Sequence, residues 1–118
     1  MDVSKDLIAA SATPLILAIL QYADSYGYEI IKKIRSASDN ELVWTEGMLY
    51  PVLHRLEKNG FIQSYWKESP EGRRRKYYRL LPEGKGELER QRQQWELVYS
   101  VLSAAIHGTI KEGSDSYV

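Results

Sequence analysis

The sequence predicts a mainly α fold with one small β-hairpin: a winged helix-turn-helix continued into a C-terminal dimerisation helix. Three observations predict it. Apolar residues recur at helical spacing in four separate stretches. The third of these is followed at once by two strand-like runs around a Pro/Gly turn. Finally, the cations gather in that same region, although the 118-residue chain has a formal net charge of zero. Residues 45–80 hold eight Lys/Arg against four acids, a local charge of +4 that the flanks cancel. Surface fields decay within about 8–10 Å, so the local sign matters more than the total.

Leu15, Ile16, Ile19 and Leu20 place the first helix. Pro14 bears on its start. Either Thr13 and Pro14 begin a fresh helix, or a segment from Asp6 joins through a kink at Pro14. One long kinked helix is preferred, because Leu7, Ile8 and the alanines suit packing. Asp24 to Tyr28 reads as a turn. In the second helix Ile30, Ile31 and Ile34 form a stripe, with Lys32, Lys33 and Arg35 off it. Ser36 to Asn40 is a polar break.

Thr45 is the expected N-cap of the third helix, whose Leu49, Val52, Leu53 and Leu56 fall on one apolar face. Asn59-Gly60 stops it, since glycine takes the left-handed conformation at low cost. Pro51 inside this helix removes one backbone donor. Strands are expected over Phe61 to Lys67 and Arg74 to Leu80, joined by the turn Glu68-Ser69-Pro70-Glu71-Gly72. Pro82 opens the last helix, where Leu88, Trp95, Val98, Leu102 and Ala105 lie close to heptad spacing, with polar Gln91 the exception. The expected organisation is a DNA-binding region over residues 1–81, the dimerisation helix over 82–110, and a disordered tail over 111–118.

Composition excludes several chemistries. The chain has no cysteine, hence no disulfide, thiolate metal site or cysteine nucleophile. The run Leu15 to Leu20 is too short to span a bilayer, which needs about 20 residues, and a soluble cytoplasmic protein is the expectation. His54 and His107 are the only histidines. No Ser/His/Asp grouping, metal-ligand cluster or Gly-rich phosphate loop accompanies them, so neither catalysis nor a cofactor is expected.

The order helix, helix, capped helix, hairpin suits double-stranded DNA. With its apolar back on the core, the third helix presents Glu46, Gly47, Tyr50, His54, Arg55 and Lys58, and the major groove admits one helix. The turn from Thr45 to Met48 should enter deepest. Arg73, Arg74, Arg75 and Lys76 flank the hairpin turn, where they can follow phosphates or enter a minor groove. Tyr28, Lys32, Lys33 and Pro51 complete the candidate DNA set. A winged helix used only to bind another protein is the alternative, and the Arg73–Lys76 run weighs against it.

Tyr26-Gly27-Tyr28-Glu29-Ile30, Gly47-Met48-Leu49-Tyr50-Pro51 continuing to Gly60, Arg73 to Leu80 and Pro82-Glu83-Gly84 together resemble the PadR-type transcriptional regulators. The resemblance covers most of residues 14–84. It implies that Pro51 is a normal feature of the recognition helix. One departure is Leu81, where the family commonly has threonine. That removes an N-cap worth ~1 kcal/mol.

The short final helix resembles the small branch of the family, which includes drug-responsive repressors. The resemblance implies a homodimer formed through the first and last helices, with Trp95 lining a cavity at the interface. Trp95 reads equally well as packing in the dimer seam. The expected effector is a flat aromatic molecule, cationic or neutral, held between two copies of Trp95. Val98 and Tyr99 follow at i+3 and i+4 on the same side. Leu7, Ala10, Pro14 and Ala18 would form the facing wall, with Glu96 at the rim.

Overall fold

The computed structural model describes residues 1–110. The expected tail over 111–118 lies outside the described residues. The chain runs α1 (Lys5–Tyr22), β1 (Ser25–Tyr26), α2 (Gly27–Ala37), α3 (Glu46–Lys58), β2 (Ile62–Glu68), β3 (Arg74–Leu80) and α4 (Pro82–Ile106). Four helices and a small antiparallel sheet in the order β1-β3-β2 are the mainly α winged helix-turn-helix that the sequence predicts.

α1 is one helix through Pro14. Ser4 caps it by accepting from the Leu7 amide at 3.2 Å. The bond that Pro14 cannot donate is the one to the carbonyl of Ala10, an exposed residue whose carbonyl water can serve. Ala12, Ile16, Leu17 and Leu20 point into the core. There they meet Ile30, Ile31 and Ile34 of α2, Leu49, Leu53 and Leu56 of α3, and Ile62 and Tyr78 of the sheet.

The expected turn at Asp24–Tyr28 is corrected in part. Ser25 and Tyr26 form a third strand, paired with Tyr78 and Tyr77 on the free edge of β3. Two residues are too few to show the alternation that marks a strand, so the sequence carried only the turn signal. The hairpin falls where expected, with β2 running one residue further, to Glu68 opposite Arg74. Gly60 and Gly72 both adopt positive φ, +79° and +82°, closing α3 and the hairpin turn respectively.

α4 begins without a side-chain cap at Leu81. Its root is fixed differently. The Leu81 amide donates to the Phe61 carbonyl at 3.0 Å, and Pro82 occupies the first turn, where its missing donor costs nothing. From there 25 residues run past the rest of the fold. The molecule measures 64 × 33 × 22 Å, and its radius of gyration is 17.6 Å. A compact domain of this length would have about 13–14 Å. Of the heptad-spaced positions, Leu88 is half-buried against α1, while Trp95, Val98, Leu102 and Ala105 are exposed.

Candidate nucleic-acid interface and interhelical groove

The sequence of α3 sorts its residues by depth. Thr45 accepts from the Met48 amide at 3.2 Å and starts the helix. Leu49, Leu53 and Leu56 anchor it, and Met48 and Val52 pack at the margin of the core. Glu46, Gly47, Tyr50, Pro51, His54 and Lys58 remain exposed. Pro51 deprives only the exposed Gly47 carbonyl of its helical partner.

Three side chains of α3 are oriented by neighbours. Tyr50 lies across the first turn of α2, its hydroxyl over Gly27, and its phenol pKa is raised by burial and by nearby Glu46. Arg55 turns away from that face: its Nη2 donates to Thr13 Oγ1 on α1 at 3.2 Å. Glu57, on the sheet side, accepts from the Ser64 amide at 2.9 Å and from the Ser64 hydroxyl. Those bonds hold its carboxyl below the ordinary value, against burial, which would raise it. They fix α3 to the first half of β2.

On α2, Tyr28, Lys32 and Lys33 are exposed. Lys32 Nζ sits 5.4 Å from the centre of the Tyr28 ring, and Lys33 pairs with Glu29 at 3.6 Å. Arg73 stands at the hairpin turn. Arg74 and Lys76 leave β3 on the same face as Ser64, Trp66 and Tyr78.

Arg75 leaves on the opposite face, with Tyr77, Arg79 and their cross-strand partners Lys67, Tyr65 and Gln63. There each of three tyrosine rings carries one cation: Arg75 on Tyr26 at 4.6 Å, Lys67 on Tyr77 at 4.6 Å, and Arg79 on Tyr65 at 4.3 Å. The Tyr65 hydroxyl donates to Asp24, and burial together with that bond pushes its pKa up to about 12. Lys67 and Arg79 were absent from the sequence-predicted set. The period-two alternation of the two strands, with their aromatics, is the signal that could have found them.

A cavity of about 640 Å³ opens between α1 and α4. Of the sequence-predicted lining residues it gathers Pro14, Ala18, Trp95 and Glu96. Leu7, Ala10, Val98 and Tyr99 lie outside it and are exposed. The sequence reading missed Lys85, Leu88, Glu89 and Arg92, which precede Trp95 at helical spacing on one side of α4. Arg92 bridges Glu89 and Glu96, so the charges at the mouth largely neutralise one another. Among the described residues no three His, Asp or Glu side chains converge on a metal position. Among the described residues no helix is long and apolar enough to cross a membrane.

Residues 16–90 match the model of the transcriptional regulator PadR-like family. The chain belongs to that family. The matched PadR-like segment runs from α1 through the wing, the β2–β3 hairpin, into the root of α4. Similar proteins extend the match further along the chain. Protein X of Lysinibacillus sphaericus is 33% identical over 106 residues, 90% of this chain and 97% of that one. A transcriptional regulator of Clostridium thermocellum, Cth-833, superposes with a TM-score of 0.78 at 42% identity, over 86% of this chain and 95% of its own. A PadR family transcription regulator of Clostridium difficile R20291 gives a TM-score of 0.71 at 38% identity, over 81% and 98%. In broad terms, then, this PadR-like chain is a transcriptional regulator.

Proposed function

We propose that the chain is a homodimeric repressor that reads a pseudo-palindromic operator in double-stranded DNA and is released by a planar aromatic molecule bound between α1 and α4. The observation that carries the reading is the exposed apolar flank of α4 beside the cavity. Trp95, Val98 and Tyr99 are 37%, 63% and 70% exposed, and Leu102 and Ile106 continue the same stripe. A second copy covers such a stripe most simply through a two-fold interface. The dyad then brings two Trp95 rings and two cavities together, and Val98 and Tyr99 close the cavity from across it. Leu7 and Ala10, exposed on the first half of α1, would add to the same interface.

The same dyad sets two α3 helices about one DNA turn apart, ~34–36 Å. Thr45, Glu46, Met48, Tyr50, Pro51 and His54 stand at the groove-entering part of α3. Arg73, Arg74 and Lys76 of the wing, with Tyr28, Lys32 and Lys33 of α2, would then meet the DNA backbone on either side. An effector that alters the angle between the two α4 helices changes that spacing. Coupling of this kind is typically 1–3 kcal/mol.

Fluorescence titration with planar dyes tests the effector site. Saturable quenching should survive Trp44→Phe and Trp66→Phe and vanish in Trp95→Ala. No quenching of the wild type, or a Trp95→Ala variant that is simply monomeric, would reduce Trp95 to seam packing. Binding to the promoter region of the chain's own gene tests the DNA reading, and its failure favours a protein-binding winged helix.

A further inference from the structure

Arg73, Arg74, Arg75 and Lys76 look equivalent in the sequence. A strand cannot treat them alike, because neighbouring side chains leave on opposite faces. Arg74 and Lys76 are exposed on the face shared with Trp66. Arg75 is half-buried on the other face. Its guanidinium lies over the Tyr26 ring at 4.6 Å, and its Nε is sealed from solvent with no hydrogen-bond partner among the described residues. That one nitrogen is closed to a phosphate as it is to water, and the Tyr26 ring holds the guanidinium against the sheet. A planar guanidinium can add stacking on the ring to the cation–π attraction that a lysine also makes.

Tyr26 is itself well fixed. Its hydroxyl donates to Glu71 Oε1 at 3.3 Å, and its ring meets the Tyr77 ring edge-on at 5.2 Å. It is also the N-cap residue of α2, and the next residue, Gly27, lies beneath the Tyr50 hydroxyl of α3. A line of touching residues therefore runs from Arg75 through Tyr26 and Gly27 to the exposed face of α3.

We propose that Arg75 is a positioning residue that clamps the wing onto Tyr26 and so sets the wing against α3, while Arg73, Arg74 and Lys76 supply the charge that meets phosphate. The inference rests on the DNA-binding reading above and divides the labour within that site.

The probe is a random-sequence DNA duplex, with affinity measured across a range of salt for the wild type, Arg74→Ala, Arg75→Ala and Arg75→Lys. Each phosphate that a variant no longer neutralises changes the log–log slope by ~0.9. Arg74→Ala should show about that change. Arg75→Ala should weaken binding severalfold with the slope unchanged, and Arg75→Lys, which keeps the charge without the planar stacking face, should not restore wild-type affinity. A slope lowered by ~0.9 in Arg75→Ala and recovered in Arg75→Lys overturns the proposal. So does an unchanged affinity in Arg75→Ala. A double-mutant cycle of Arg75→Ala with Tyr26→Leu in urea unfolding needs no DNA and should show coupling; strict additivity overturns the clamp. If the wild type binds no DNA, the functional reading fails and the cycle still decides the clamp.

Discussion

The phenol of Tyr50 fills the space that a side chain on Gly27 would need: a β-carbon there would lie 2.6 Å from the hydroxyl oxygen and 2.9 Å from Cζ. The two residues join the first turn of α2 to the exposed face of α3. Because the obstructing atoms are the far end of a half-exposed side chain, Tyr50 can swing aside. Gly27→Ala should therefore fold, at a cost of about 1 kcal/mol. It should weaken DNA binding more than its loss of stability suggests. In a Tyr50→Ala background the same substitution should cost nothing further in thermal unfolding. An undiminished cost there would show that the obstruction is not Tyr50.

Gly84 faces a harder neighbour. A β-carbon on it would lie 2.1 Å from the Phe61 carbonyl oxygen and 2.6 Å from Leu80 Cδ1. Backbone cannot rotate out of the way, so Gly84→Ala should cost about 3 kcal/mol or more. Gly86, two residues on in the same helix, is exposed and has nothing within 4 Å of such a carbon. Gly86→Ala should instead stabilise by about 0.5–1 kcal/mol. Urea unfolding of the two variants should move in opposite directions from wild type.

The Glu57–Ser64 pair gives an acid-side signature. Hydrogen bonds from Ser64 lower the folded-state pKa of Glu57. A carboxyl lowered by folding adds stability that is present above its unfolded value, ordinarily about 4.3, and is lost as pH falls through the folded one. Glu57→Gln should lose about 1–2 kcal/mol near neutral pH. Its deficit relative to wild type should shrink as pH falls below about 4.3. A deficit independent of pH would mean that the carboxylate charge contributes nothing.

Leu102 lies on the exposed stripe of α4, away from the core. Leu102→Asp should leave the circular dichroism of the chain near wild type and shift its sedimentation from dimer to monomer. A wild type that already sediments as a monomer at micromolar concentration would sink the proposed dimer, and with it the palindromic site.

The periodic elements were legible because their physics is local. Leu49, Leu53 and Leu56 on one face, Thr45 as cap and Gly60 as stop define α3 from within thirteen helical residues and their flanks. The same holds for the hairpin, where the Pro/Gly turn separates two alternating runs. What escaped was decided by distant partners. Ser25 and Tyr26 are a strand only because β3 offers a free edge. Arg55 looks like an outward cation until Thr13 on α1 appears 42 positions earlier. Leu81 lacks the expected cap chemistry, yet the Phe61 carbonyl anchors the helix it precedes. In the groove, Trp95 was visible as an aromatic on a heptad-like stripe, whereas Arg92 and Leu88 became lining residues only once α1 was placed beside them.

The seating of Gly84 on Phe61 has a mechanical consequence. With no room for even a methyl group at that joint, the first turn of α4 and the start of β2 cannot slide past one another. The helix beyond is about 37 Å long at 1.5 Å per residue. It works as a lever whose short arm is welded to the wing. A swing of about 5° at the root carries the far end through roughly 3 Å. In the other direction, a displacement of a few ångströms near Ile106 should turn the wing as one block rather than bend it. On the proposed reading, a small molecule wedged near the middle of such a beam would need little travel to re-aim what sits at its foot.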